Sequence, residues 1–311
     1  MSKPVWQPLT DAELVQRLTP PAGKIDMVLD TDTYNEVDDQ FALAYALLSP
    51  ERLNVQAVYA APFHNSRSTN PADGMERSYD EILRFLGKMN ISAEGLVHKG
   101  SAGYLPDGET PVDSPAARDL VARAMARPDD ADPLYVVAIG AITNVASAIL
   151  MQPAIAKKIA IIWLGGHPTN HPHTQEFNLS QDIPAARVVF DCGAPVTLVP
   201  CLGVASHLLT TVAELEQCIG GKNDLCDALI DIVRGYSDDH FAWAKEIWDV
   251  STIGYLINPA WLPTKLVHSP VLTDDYFWAH DERRHFMREA YFCSRNPIFR
   301  DMFTKLGALE D

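Results

Sequence analysis

The sequence predicts an α/β fold, a single domain in which a mainly parallel central sheet is flanked by helices. Three observations predict it. Short, near-continuous apolar runs recur along the chain, as expected of strands covered on both faces. Segments with helical spacing lie between them, the alternation that builds parallel sheets. The first four runs end in acids, amides or glycines, and open α/β sheets place their ligands outside the carboxyl ends of strands. Residues 1–311 read as one domain, with 1–23 as an N-terminal extension and mostly helical insertions toward the C-terminus.

The elements follow in order. The first apolar run, 25–29, ends at Asp30-Thr31-Asp32. Phe41, Leu43, Ala44, Leu47 and Leu48 then mark a helix. The run 55–60 leads to Asn65 and to a helix marked by Tyr79, Ile82, Leu83 and Phe85. The run 134–139 meets Gly140 and is followed by a helix over 144–150. The run 159–164 ends at Gly165-Gly166, a helix covers 184–190, and 196–200 is a fifth strand.

Hydrophobic residues make up 47% of the chain and charged residues 21%, which excludes disordered, collagen-like and coiled-coil chains. No apolar run approaches the roughly 18 residues of a membrane span. Residues 1–18 mix charges with prolines and lack the apolar core of a secretory signal. A cytoplasmic protein without a membrane partner is expected. Lys and Arg number 25 against 41 Asp and Glu, a net charge of −16. Such a chain repels phosphate backbones, so nucleic acid is not an expected partner. The five cysteines are odd in number and form no C-x-x-C pair, so buried reduced thiols are expected.

The segment Asp30-Thr31-Asp32-Thr33-Tyr34-Asn35-Glu36-Val37-Asp38-Asp39 packs five carboxylates between a strand and a helix. Mutual repulsion there is relieved by a cation, and oxygen ligands suit a hard one, Ca²⁺ or Mg²⁺. A solvated loop with acids at a helix N-terminus is the plainer reading. The segment is no EF-hand, because its twelfth position, counted from Asp30 or Asp32, is Phe41 or Leu43 rather than Glu.

Four segments together carry a resemblance: Asp30-Thr31-Asp32 with Asp38-Asp39; the turn 138–146 around Gly140, Thr143 and Asn144; Gly165-Gly166 followed by Glu176-Phe177-Asn178; and Trp248-Asp249 followed by 254–259. In this order they resemble the nucleoside hydrolases, including the inosine–uridine-preferring group. The resemblance implies Ca²⁺-dependent hydrolysis of the N-glycosidic bond of ribonucleosides to free base and ribose, by a homo-oligomer (dimer or tetramer). It implies that Asp32, Asp39, Asp249 and the carbonyl of Ile139 hold the metal. Asp32 accepts the proton of the attacking water, and Asp38 accepts from the 2′-hydroxyl. Asn178, Glu176 and Asn170 bind the remaining sugar hydroxyls, with Asn65 a further candidate. Asn170 also reads as a turn residue, Asn70 competes with Asn65, and Asp249 also reads as an ordinary helix cap.

Two departures stand out. The linker 33–37 is longer by two residues than in common members, which brings Glu36 or Asn35 toward the pocket. Trp248 stands where many members carry a histidine that protonates the leaving base. Stacking on Trp248 suits a flat base and favours purines, with Trp163, Trp243 and Tyr236 as possible partners. His240 is a candidate replacement acid. His167, His171 and His173 match no standard zinc spacing. Two rival readings remain: a nucleoside- or sugar-binding protein without turnover, and a Mg²⁺-dependent phosphatase of the haloacid dehalogenase type, in which Tyr34 stands where Thr is required.

Overall fold

The computed structural model describes residue 6 and residues 9–310. Part of the expected 1–23 extension therefore lies outside the described residues. The extension's helix α1 (Asp11–Arg17) is opened by a capping box between Thr10 and Glu13.

The strands and helices then alternate in chain order: β1 (Ile25–Thr31), α2 (Asp39–Leu47), β2 (Leu53–Ala60), α3 (Pro71–Lys88), β3 (Val97–Lys99), α4 (Pro115–Ala126), β4 (Leu134–Ala138), α5 (Thr143–Met151), β5 (Ile159–Leu164), α6 (Phe177–Gln181), α7 (Ile183–Asp191) and β6 (Val196–Val199). The C-terminal region contributes β7 (Leu209–Thr210), α8 (Val212–Ile219), α9 (Asp224–Arg234), β8 (Lys245–Glu246), α10 (Val250–Ile257), β9 (Thr264–His268), β10 (Val271–Leu272), β11 (Trp278–Ala279), β12 (Phe286–Ala290) and α11 (Arg295–Gly307).

The main sheet has eight strands in the order β3-β2-β1-β4-β5-β6-β12-β9. Every adjacent pair is parallel except β12 with β9. Side chains alternate across the sheet, so each strand feeds two cores. Met27, Leu29 and Val137 pack with Phe41 and Tyr45 on one face. Val28, Tyr59, Val136 and Trp163 pack with Phe190 on the other. Burial on both faces is what the near-continuous apolar runs encode.

The C-terminal region carries the expected helices and, in addition, two strands that complete the sheet. Their sequences, TKLVH and FMREA, mix charged with apolar residues: β9 is an edge strand with a half-exposed face, and in β12 Arg288 and Glu289 find partners in Leu18 and Thr169. An apolar-run criterion passes over such strands. The cysteine expectation needs a correction: Cys192, Cys226 and Cys293 are buried, but Cys201 is half-buried and Cys218 is exposed. Cys218 sits on α8, whose buried side chains are Leu215 and Ile219, so the helix turns this thiol outward. No helix among the described residues is long and apolar enough to cross a membrane.

The topology fixes where a ligand sits. Strand order runs from β1 through β2 to β3 on one side and through β4 to β6 on the other. The order therefore switches between β1 and β4, and their carboxyl ends open a crevice there. The register pairs Asp30 with both Tyr59 and Ala138. The acidic segment thus leaves the sheet at its topological switch point.

Candidate active site

Asp32 follows β1 directly. It is fully buried, and neither of its carboxylate oxygens has a hydrogen-bond partner. Gly140 makes room for it: a Cβ at Gly140 lies 3.0 Å from the Asp32 Cγ. Asp38 and Asp39 sit at the start of α2, and Asp249 at the start of α10. Helix capping does not account for Asp38 or Asp249, since neither side chain makes a cap hydrogen bond. Asp38 Oδ2 instead accepts from the Asp249 amide at 3.4 Å. Asp39 Oδ1 accepts from Thr31 Oγ1 at 2.5 Å. Among the described residues, Asp38, Asp39 and Asp249 offer ligand atoms that all lie within 4.8 Å of one another, and all three are buried.

Burial and mutual repulsion work against ionisation here. Burial, followed by the charges of Asp39 and Asp38, holds Asp32 well above the usual carboxylate range. Asp39 and Asp249 are raised for the same two reasons. Asp38 is raised to about 6, chiefly by burial, with the charge of Lys245 opposing the shift. Buried carboxylates of this density need a cation or protons to neutralise them.

Asp30, one residue deeper, has a separate role. Its Oδ1 accepts from Asn144 Nδ2 at 2.8 Å, and burial lifts its carboxyl to about 7. Asn144 also accepts from the Ser101 amide and hydroxyl, at 2.7 and 2.8 Å. This asparagine therefore ties β1, α5 and the loop after β3 beneath the site.

The segment after β5 supplies amides. Asn178 donates through Nδ2 to the carbonyls of Ile139 (3.2 Å) and Leu164 (3.0 Å), which fixes the ends of β4 and β5 and leaves its own Oδ1 available. The Ile139 carbonyl keeps a second lone pair. Glu176 accepts from the amides of Gly166, Asn178 and Leu179 at 2.7–3.0 Å. It caps α6 and anchors the glycine turn, with about one of its four acceptor positions left. Gly166 itself has φ +66°, a conformation that disfavours a side chain.

Asn65 donates to Asn35 Oδ1 at 2.7 Å and so reaches the acidic loop. Asn70, by contrast, caps α3. Asn170 is exposed, while its neighbour Thr169 is bound through its amide and hydroxyl to Glu289 at 2.8 and 2.7 Å. Asn170 makes no hydrogen bond to the other site residues among those described. Trp163 is core, packed on Phe190 and donating to the Gly140 carbonyl at 3.2 Å. His240 is exposed, bonded to the Arg234 carbonyl at 3.0 Å, and its ring rests on Trp243. The rings of His167, His171 and His173 touch edge to face, yet they form no convergent ligand group among the described residues.

One residue at the site escapes sequence reasoning altogether. Lys245 is 3% exposed, as buried as Asp38 and Asp249. Its Nζ lies 2.6 Å from Glu36 Oε2, 3.8 Å from the centre of the Trp248 ring and 4.9 Å from that of Tyr236. The charges of Asp38 and Glu36 raise its pKa against the opposing effect of burial. A lone lysine three residues before Trp248, and 209 residues from its partner, belongs to no spacing pattern. The longer linker is likewise pinned along its length. The Arg67 guanidinium lies 4.6 Å from the centre of the Tyr34 ring, Asn35 meets Asn65, and Glu36 meets Lys245. Tyr34, Glu36, Asn65 and Tyr236 border a cavity of about 770 Å³ beside the loop.

A switch-point crevice floored by buried carboxylates and edged by amides is where an open α/β sheet of this topology places a polar ligand. Residues 27–287 match the family model described as inosine-uridine preferring nucleoside hydrolase, and the chain belongs to this family of N-glycosyl hydrolases. The chain is 30% identical over 184 residues to an Escherichia coli pyrimidine-specific ribonucleoside hydrolase, RihB, covering 53% of this chain and 58% of that protein. The match thus spans little more than half the length of that relative. Among solved structures, a purine-preferring ribonucleoside hydrolase from Gardnerella vaginalis shares the fold with a TM-score of 0.72 at 21% identity, over 91% of this chain and 98% of that one. A plant nucleoside hydrolase does so with a TM-score of 0.70 at 21% identity, over 93% and 100%. Family membership replaces the phosphatase reading of Asp30-Thr31-Asp32.

Proposed function

We propose that this protein hydrolyses the N-glycosidic bond of ribonucleosides, releasing free base and ribose, with a divalent cation, Ca²⁺, resident among Asp32, Asp39, Asp249 and the Ile139 carbonyl. The observation that carries it is the convergence of the buried Asp38, Asp39 and Asp249 from the starts of α2 and α10, beside a buried Asp32 that feels the charges of Asp39 and Asp38 and has both oxygens unpartnered. The donor set fits the ion: hard, anionic oxygens plus a carbonyl with a spare lone pair. When bound, such a cation supplies the positive charge that polarises water and draws in sugar hydroxyls.

The chain's own groups do the rest. Asp32 has one oxygen to spare as acceptor for the proton of the water that attacks the anomeric carbon. Asp38, whose carboxylate lies within 4.8 Å of those of Asp39 and Asp249, is the acceptor for a 2′-hydroxyl. Asn178 Oδ1 and the remaining position of Glu176 orient the other hydroxyls, with Asn65 at the loop side. As the N-glycosidic bond breaks, positive charge develops on the sugar, and the surrounding carboxylates stabilise it.

Two lines of support bear on the base. Tyr236 and Trp243 stack at 6.4 Å and 23°, and with Trp248 they offer flat surfaces suited to a purine. The E. coli relative is named as pyrimidine-specific. Release of base and reducing sugar from a nucleoside panel, with Ca²⁺ and with chelator, tests all of this. Chelator-sensitive release supports the reaction and the metal, and the rank order decides the base. Tight nucleoside binding without release refutes turnover and leaves a binding role.

A further inference from the structure

Breaking an N-glycosidic bond leaves the bonding electron pair on a base nitrogen. Such an anion is a poor leaving group unless a proton donor or a fixed positive charge receives it. The position before Asp249 is Trp248, which can do neither. His240 is exposed and bonded elsewhere. The cation that the fold brings to this ring is Lys245, with Nζ 3.8 Å from the Trp248 ring centre.

We propose that Lys245 receives the departing base, holding its ammonium against the nitrogen or oxygen on which negative charge collects, and that Glu36 orients it. This deepens the proposed hydrolase reading and rests on it. Four observations place Lys245 in this role. It is buried to the same degree as the carboxylates. It sits against the two aromatic rings, Trp248 and Tyr236, that offer surface to a base. Its charge opposes the upward shift of the Asp38 carboxyl, so it lies near the carboxylate cluster. Its ion-pair partner, Glu36, comes from the longer linker. The two departures of this chain, the extra linker residues and the tryptophan, thus meet at one ammonium group. In the reaction, water adds to the anomeric carbon and yields its proton to Asp32. The electron pair of the broken bond passes to the base, and the base anion, paired with the ammonium, takes up a proton from solvent as it leaves.

The test compares leaving groups. Inosine must expel a poor leaving group, whereas 4-nitrophenyl β-D-ribofuranoside expels a phenolate that needs no assistance. For Lys245→Met, kcat/KM on inosine should fall by about 100-fold or more, and on the nitrophenyl riboside by about tenfold or less. Lys245→Arg keeps a cation and should restore part of the inosine activity. Glu36→Gln removes the ion pair but leaves the ammonium, so it should change the ratio of the two activities less than Lys245→Met does. Melting temperature and bound Ca²⁺ are measured on each variant, and Lys245→Arg carries the comparison if Lys245→Met does not fold. Equal losses on both substrates, or a Glu36→Gln variant that matches Lys245→Met in the ratio, overturn the proposal and leave Lys245 as a strut. Inosine gives way to the best nucleoside of the panel if it is not cleaved, and wild-type protein that cleaves neither the nitrophenyl riboside nor any nucleoside refutes the hydrolase reading itself.

Discussion

Cation binding at the carboxylate cluster should be tightly linked to pH. Asp32, Asp39 and Asp249 are held well above the usual carboxylate range, and Asp38 is raised from 3.8 to about 6. Moving one carboxyl that far corresponds to about 3 kcal/mol against its ionised form at neutral pH. The sign follows from linkage. A carboxyl whose folded value lies above its unfolded one stabilises the fold most fully below about pH 4, and that contribution is lost as pH rises through the folded value. Metal-free protein should therefore lose stability as pH rises from about 4 through 6, the range over which Asp38 titrates, and lose more above it as Asp32, Asp39 and Asp249 ionise. A cation reverses the loss, because it binds the ionised cluster and expels the protons. At a hundredfold excess over its dissociation constant it adds about 3 kcal/mol. The melting temperature of Ca²⁺-loaded over chelated protein should differ by about 5 °C at pH 8 and close to zero at pH 5. Calorimetric titration at pH 6 in buffers of different ionisation enthalpy should show release of about one proton or more per ion. A gap that is the same at both pH values, with no proton release, refutes the account of the cluster as a protonated, metal-ready site.

Further outcomes follow from individual side chains. Asp39→Ala and Asp249→Ala should lose bound Ca²⁺ and activity together; metal analysis beside a base-release assay checks this, and activity retained in either removes that residue from the ligand set. Trp248→Ala should raise KM for nucleosides more than it weakens Ca²⁺ binding, and an unchanged KM argues against ring contact with the base. Asn144→Ala strips the one hydrogen bond from the buried Asp30 and the acceptor from Ser101. It should cost about 2–4 kcal/mol by denaturant unfolding, and the loss should shrink at low pH, where Asp30 is neutral.

What was legible in the sequence divides along physical lines. Buried parallel strands announce themselves because both faces are apolar, so the runs ending at Asp30, Gly140 and Gly165 mark the crevice in the sequence itself. Strand β9 does not, because a sheet edge needs only partial apolar cover, and β12 does not, because its Arg288 and Glu289 are taken up by Leu18 and Thr169. The carboxylates could be found because acids clustered after a buried strand are costly unless they have work to do. The structure adds that neither Asp38 nor Asp249 caps its helix, the alternative that spacing alone leaves open. Asn170 is a sugar ligand only by the family resemblance and stands exposed, because the turn that holds it is fixed by Thr169 on Glu289 rather than by the site.

Lys245 marks the limit of linear reading. Its meaning depends on three contacts that come from separate parts of the chain: Glu36 on the linker after β1, Tyr236 after α9, and Trp248 at the entry to α10. In the sequence each of these residues stands apart, as a departure or a stray aromatic. Only the lysine between them makes a single arrangement. A buried ion pair is rarely worth its desolvation cost as a source of stability. Its survival beside a cluster of carboxylates is therefore better explained by what the ammonium does for a bound substrate than by what it does for the fold.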